Sequence, residues 1–242
     1  MTFPVAVAIH VGLFAPITYS GIAGQTSVAI PRLDDAAVTI DGDLGEPSWS
    51  HAATLTGFSE YTPVDGRPAE DSTAVLVWYS PTAMYFGIRA FETHGPVHAT
   101  LADRDRIGTD DYVQILLDTF DDHRQALVFG VNPFGMQSDG TLTETLGGSR
   151  DTVDRSADFV FQSKGRVTGT GYEVEIRIPF KSIHYQQAGA QGSTSCGRCS
   201  TPGTSRRGPP PGGRRRRSSR SRERSPGSPT CTATSCSISI PR

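Results

Sequence analysis

Apolar and polar residues alternate with a period of two through much of the stretch from 37 to 185, in short runs separated by turn-forming dipeptides. Residues 37–40 (AVTI) lead into Asp41-Gly42, a turn pair. Residues 73–80 (TAVLVWYS) and 84–91 (MYFGIRAF) are strand-like runs joined by Pro81-Thr82-Ala83, a spacing that predicts a hairpin. Residues 111–119 alternate less cleanly, the pattern of a strand buried on both faces. Residues 125–132 end against Pro133, which has no N–H for a ladder. Runs at 136–142 and 159–164 are weaker. Residues 172–178 alternate without fault: Val174, Ile176 and Ile178 to one side, Glu173, Glu175 and Arg177 to the other. No stretch holds an apolar repeat of 3.6 over three turns. The series predicts an all-β fold, an immunoglobulin-like or jelly-roll type β-sandwich. Residues 179–185 begin a further strand or turn, and there the apolar pattern stops. The sandwich is therefore expected to lack one or two strands at its C-terminal edge.

Composition divides the chain. From 188 to 242 there is no Leu, Val, Phe, Tyr, Trp, Met, Lys or Asp, and 11 Arg face a single Glu, about +10. The whole chain carries −2, so the preceding part sits near −12. Residues 186–242 are thus expected to be a disordered Arg/Pro/Ser/Gly-rich tail, unable to bury a core. All four cysteines (Cys196, Cys199, Cys231, Cys236) lie there, without apolar residues to shape a zinc site. Residues 1–24 are uncharged and mostly apolar, with small residues around Gly21-Ile22-Ala23, and read as a signal peptide. Residues 25–35 read as a linker and 36–185 as the folded domain. His10 and Pro16 interrupt the leader, which is too broken for a transmembrane helix.

The tail has the composition of GC-rich coding sequence read out of frame. Shifted one nucleotide upstream, Pro229-Thr230-Cys231-Thr232 is compatible with a Thr-Asp-Leu-His string, and residues 236–241 with Leu-Leu-Asp-Leu-Asn-Pro. Those strings alternate where the actual ones do not. A frameshift between 185 and 195 is the expected origin of the tail. The competing reading takes residues 214–224 (RRRRSSRSRER) as an arm binding phosphates by counterion release. No aromatic residue is interleaved there for base stacking, so no specific nucleic-acid partner is expected.

The order of several motifs carries a resemblance. Ile40-Asp41-Gly42-Asp43-Leu44 with Glu46-Pro47-Ser48-Trp49 has the form IDG-x-x-x-E-x-x-W. Val77-Trp78-Tyr79, residues 84–90, residues 110–124 from Asp110-Asp111-Tyr112-Val113, Phe129-Gly130-Val131-Asn132-Pro133, residues 135–140, Gly171-Tyr172-Glu173 and Ile178-Pro179-Phe180 follow. In that order the set resembles the family 9 carbohydrate-binding domains, and within them a subgroup that precedes an outer-membrane β-barrel. The resemblance implies a non-catalytic carbohydrate-binding module, secreted, periplasmic or outer-membrane associated and linked to carbohydrate catabolism. It leaves two alternatives: an envelope protein-interaction domain of a truncated barrel protein, and a hydrolase-associated domain acting on O-glycosyl bonds.

Sugar rings stack on aromatic faces, because one face of a pyranose is apolar. The resemblance places a clamp Trp near Gly108, a hydrogen-bonding acid at Gln114 and an Arg at Gly130, so this sequence departs from the sugar-binding members at those positions. Trp49, before an apolar stretch, is expected to pack over the sandwich. The candidate ligand-binding residues are Trp78, Tyr112, Arg104, Asp110, Asp111 and Gln114. No catalytic residue and no cofactor is expected. Calcium is the ion the sequence allows, at Asp118, Asp121 and Asp122, although six to eight converging oxygens are needed and no EF-hand spacing is present.

Overall fold

The computed structural model describes residues 17–20, 27–34, 38–58, 72–93, 95–120, 124–143 and 153–184, with two further strands at 193–196 and 236–239. In chain order the strands are β1 (Thr18–Ser20), β2 (Ser27–Ala29), β3 (Ala53–Thr56), β4 (Thr73–Tyr79), β5 (Ala83–Phe91), β6 (Val113–Leu117) and β7 (Gln125–Val131). They continue with β8 (Gln137–Thr143), β9 (Val153–Asp154), β10 (Gln162–Thr168), β11 (Gly171–Pro179), β12 (Ser193–Cys196) and β13 (Cys236–Ser239). One sheet runs β1-β3-β4-β5-β11-β10 and a second runs β6-β7-β8-β9. Apart from β1, which is parallel to β3, neighbours in both sheets are antiparallel.

The predicted hairpin is β4–β5. Ser80 closes it: its hydroxyl accepts from the N–H groups of Thr82 and Ala83 at 3.1 and 3.0 Å. Strand β5 then pairs with β11 from Ala83↔Pro179 to Phe91↔Gly171, so the two longest strands lie side by side within the large sheet. Their inward residues Phe86, Ile88, Val174, Ile176 and Ile178 meet Val113, Ile115, Leu117, Phe129 and Val131 of the small sheet in one buried cluster. Burying a side chain of this size stabilises by about 1.5–3 kcal/mol, which is why the alternation fixes which face turns inward.

A second apolar cluster lies on the other face of the large sheet. Leu76, Trp78 and Tyr85 point there and are covered by Leu44, Trp49 and Ala52, with Leu33, Val38 and Ile40 packed alongside. Central strands covered on both faces explain the near-continuous apolar run of β4.

Several expectations are corrected. Within the stretch read as a linker, Val28 and Ile30 are buried in the inter-sheet core, and Leu33 N–H donates to the Tyr79 carbonyl at 2.9 Å. Residues 38–40 belong to no strand; Val38 and Ile40 lie over the outer cluster. Strand β6 is not buried on both faces, because Gln114 and Leu116 are only half-buried on its outward side. The run at 159–164 starts its pairing at Gln162, since Phe159 and Phe161 first pack against Phe129 at 5.5 and 5.2 Å. Strands β2, β3 and β9 are two to four residues long, too short for a period to register. Residues 180–182 form one 3₁₀ turn.

Thr18–Ser20, inside the segment read as a leader, adds to the edge of β3. In the Arg-rich tail, β12 pairs with β13, and β13 runs parallel to β2. The remainder of 186–242 lies outside the described residues.

Candidate functional site

Three constructions place the residues that the sequence singles out. The first is the cap formed by residues 40–52. Asp41 accepts from Asp43 N–H at 2.8 Å through its own carboxylate, which turns the chain, and Gly42 takes a φ of +92°, a conformation that favours glycine. Residues 47–51 make a 3₁₀ turn that delivers Trp49 onto the sheet. Glu175 of β11 receives the cap: its carboxylate accepts from the N–H of Asp41 (2.8 Å), the N–H of Gly42 (2.7 Å) and Nε1 of Trp49 (2.9 Å). Gly87 leaves room beneath, since a Cβ there would lie 2.5 Å from Leu44 Cδ2 and 3.0 Å from Trp49 Cζ3. Arg166 and Arg89 clasp the rim by pairing with Glu173, and Arg166 also reaches Asp43 at 2.9 Å. Burial, with a smaller contribution from the nearby Glu46 carboxylate, pushes Glu175 up to about 7.

The second construction is a polar hub around Asp110 and Asn132, both fully buried. The Asp110 carboxylate accepts from Thr100 N–H (3.0 Å), the Thr100 hydroxyl (3.0 Å) and Asn132 Nδ2 (2.8 Å). Asn132 Oδ1 accepts in turn from the N–H groups of Phe134 (3.0 Å) and Met136 (2.9 Å), which fixes the β7–β8 turn. Asp111 accepts from His98 N–H at 2.7 Å; burial raises its pKa above the usual carboxylate value.

In the third, Arg104 staples three segments. Its guanidinium donates to Gln137 Oε1 (3.0 Å) and the Phe159 carbonyl (2.7 Å), pairs with Asp139, and lies 3.5 Å from Asp158. Asp105 next to it adopts a φ of +65°, held by its N–H donating to the Gln137 carbonyl at 3.0 Å and by its carboxylate accepting from Asp139 N–H at 2.9 Å.

The candidate ligand residues therefore do not converge. Trp78 is a correction: it is fully buried, stacked on Tyr85 at 3.8 Å with a 3° interplanar angle and edge-on to Trp49 at 6.1 Å. Asp110 and Asp111 are likewise corrected, because their carboxylates are turned inward to backbone N–H groups of the 98–100 segment. Arg104 has its donors engaged by the staple. Tyr112 and Gln114 are half-buried on and beside β6.

Of the calcium set, Asp118 is 5% exposed and accepts from Phe120 N–H at 3.1 Å, while Asp121 and Asp122 lie outside the described residues. Carboxylate oxygens do approach one another in two other places, Asp41/Glu46/Glu175 and Asp105/Asp139/Asp158, each within 4.8 Å. Asp41, Glu175, Asp105, Asp139 and Asp158 are engaged by N–H donors or by Arg104, whereas Glu46 Oε2 is buried without a hydrogen-bond partner. No helix among the described residues is long and apolar enough to cross a membrane.

The sequence matches no protein-family model and no curated protein. Among solved structures the fold is similar to a family 9 carbohydrate-binding module from Caldicellulosiruptor kristjanssonii in complex with cellotriose, at 13% identity and a TM-score of 0.52 over 88% of this chain and 93% of that one. It is also similar to a candidate carbohydrate-binding protein from Bacteroides uniformis, at 10% identity and a TM-score of 0.57 over 89% of this chain and 99% of that one. The chain is an all-β sandwich with the fold of the family 9 carbohydrate-binding modules.

Proposed function

We propose that this protein is a non-catalytic carbohydrate-binding module of a secreted or envelope protein. The observation that carries the proposal is the likeness of the two-sheet fold, over most of both chains, to a module crystallised with cellotriose. The use of the buried carboxylates supports a binding role over a catalytic one. Asp110, Asp139 and Glu175 each hold loop N–H groups in place, and a glycosidase pair must instead face a sugar across a cleft. A part in carbohydrate catabolism, attachment to an outer-membrane barrel, and a shifted reading frame as the source of the tail extend the same reading.

The test is affinity electrophoresis and calorimetry of the full chain against soluble glucans, xylans, mannans and cellotriose, with chromogenic glycosides assayed in parallel. Retardation by at least one glycan without release of chromophore is the expected outcome. Binding to none, or turnover of a glycoside, overturns it. Resequencing the gene across codons 186–242 tests the reading frame separately; a single insertion or deletion restoring an alternating pattern is expected.

A further inference from the structure

With Trp49 and Trp78 both buried, any aromatic platform must come from elsewhere. The most exposed large aromatic side chains among the described residues are Phe91 (40%), Phe120 (48%) and Phe134 (40%). From the surroundings of these three we propose that Phe134, at the tip of the β7–β8 turn, is the platform on which a neutral glycan stacks. The proposal rests on the carbohydrate-binding reading and deepens it by naming a site.

Phe134 sits on a turn held from two sides. From within, Asn132 Oδ1 accepts from its N–H, and the Gly135 N–H donates to the Asn132 carbonyl at 2.8 Å. From the edge strand β10, the Ser163 hydroxyl donates to the Gly135 carbonyl at 2.9 Å. Gly135 itself has a φ of +83°, and a Cβ there would lie 2.9 Å from Lys164 Cα. A ring carried on so fixed a backbone loses little freedom when a ligand docks.

The segments tied to this turn also carry exposed apolar residues. Thr100, whose carbonyl accepts from Asn132 Nδ2 at 2.8 Å, precedes Leu101, which is 81% exposed. The Arg104 staple brings in the 159–161 segment, where Val160 is 73% exposed. Three segments joined by hydrogen bonds near the start of β8 thus each carry an exposed apolar side chain, and the solvent-facing Arg104–Asp158 pair ties two of them together. Apolar surface with a polar border is the chemistry of a pyranose ring, whose hydroxyls surround an apolar face.

The experiment compares the full chain with Phe134→Ala, Phe134→Tyr, Phe120→Ala and Phe91→Ala, using cellotriose and the glucan that the parent binds best. Thermal melts confirm that each variant is folded. Phe134→Ala is expected to weaken binding about tenfold or more, Phe134→Tyr to keep it, and the two other alanine variants to match the parent. Parent-like binding by a folded Phe134→Ala overturns the site while the carbohydrate-binding reading stands. Binding by no protein, the parent included, overturns both together. If Phe134→Ala fails to fold, loss of affinity in folded Phe134→Tyr to the level of no binding overturns the stacking role.

Discussion

The cap over the large sheet and the β7–β8 turn at the sandwich edge use the same materials in opposite ways. In the cap, an aromatic side chain is driven inward, hydrogen-bonded by a buried carboxylate and lost to solvent: Trp49 is 2% exposed. At the turn, a buried carboxylate holds a buried amide, which in turn holds backbone N–H groups so that an aromatic side chain is left outside: Phe134 is 40% exposed. The residues most recognisable in the sequence, IDG-x-x-x-E-x-x-W, build the first region. The difference teaches that motif strength here reports scaffold, and that a binding surface is sought where the scaffold holds something out.

The largest effect that tests this contrast is Trp49→Ala. It removes the centre of the outer cluster, leaves a cavity against Trp78, and takes the Nε1 donor from Glu175. A loss of about 3–5 kcal/mol is expected, read from the midpoint of urea unfolding at constant m. A shift below about 1 kcal/mol would show that the cap is a loose cover, and the distinction between the regions would collapse.

Gly165 joins the two regions. The turn at Pro133–Gly135 sits on one side of it and the cap at Gly42 on the other: a Cβ on Gly165 would lie 2.4 Å from the Pro133 carbonyl oxygen, and one on Gly42 would lie 3.2 Å from the Gly165 carbonyl carbon. Gly165→Ala therefore forces the turn off the edge strand. A cost of about 1–3 kcal/mol is expected in the same unfolding measurement. If turn and cap are mechanically separate, the crosspeaks that shift in a ¹H–¹⁵N spectrum will be confined to residues 132–136 and β10; spread into residues 41–49 shows that they share a joint.

How much of this was legible follows from chain separation. The β4–β5 hairpin and the inward face of β11 could be read because their period is local. Alternation also assigned Glu175 to the outward side correctly. Nothing local says that the outward side is covered, because Trp49 and Glu175 are 126 residues apart. The same gap misdirected Trp78: between Val77 and Tyr79 it can face either way, and only the cap makes the outward way a burial. Asp110 read as a ligand residue because an acid in a loop is usually solvated. Its partner Asn132 lies 22 residues on. Phe134 carried no signal at all, being one aromatic in a turn with no period.

A smaller effect distinguishes the regions by pH. Glu175 has its pKa raised from 4.5 to about 7, chiefly by burial. The folded state holds this proton more tightly than the unfolded state, so the stability that Glu175 contributes is fully present below about 4.5 and is lost as pH rises to about 7. Unfolding free energy measured at intervals between these pH values is expected to fall, and Glu175→Gln to flatten the slope. In that variant one accepting oxygen becomes an NH₂ that can no longer accept from Trp49 Nε1 or from the Asp41 and Gly42 N–H groups, so its absolute stability is lower and the slope is the informative quantity. A parent slope that persists unchanged in Glu175→Gln assigns the titration to another group, with Asp111 and Asp139, also raised by burial, next to be replaced.

The smallest expected effect on stability is the most discriminating. Phe134→Ala removes an exposed ring whose turn is held by backbone and Asn132 contacts that do not involve the ring. Its cost is therefore expected to stay within about 0.5 kcal/mol, near the noise of the unfolding measurement that Trp49→Ala dominates. The comparison then becomes a double dissociation: Trp49→Ala costs stability while any folded fraction keeps its glycan affinity, and Phe134→Ala keeps stability while losing affinity. Should Phe134→Ala instead cost 2 kcal/mol or more on the scale of a buried ring (about 3–5 kcal/mol for Phe→Ala), the ring would be packing against the body in solution, and the turn would belong with the cap as scaffold. The ratio of the two losses separates a platform held out to solvent from a ring packed as scaffold.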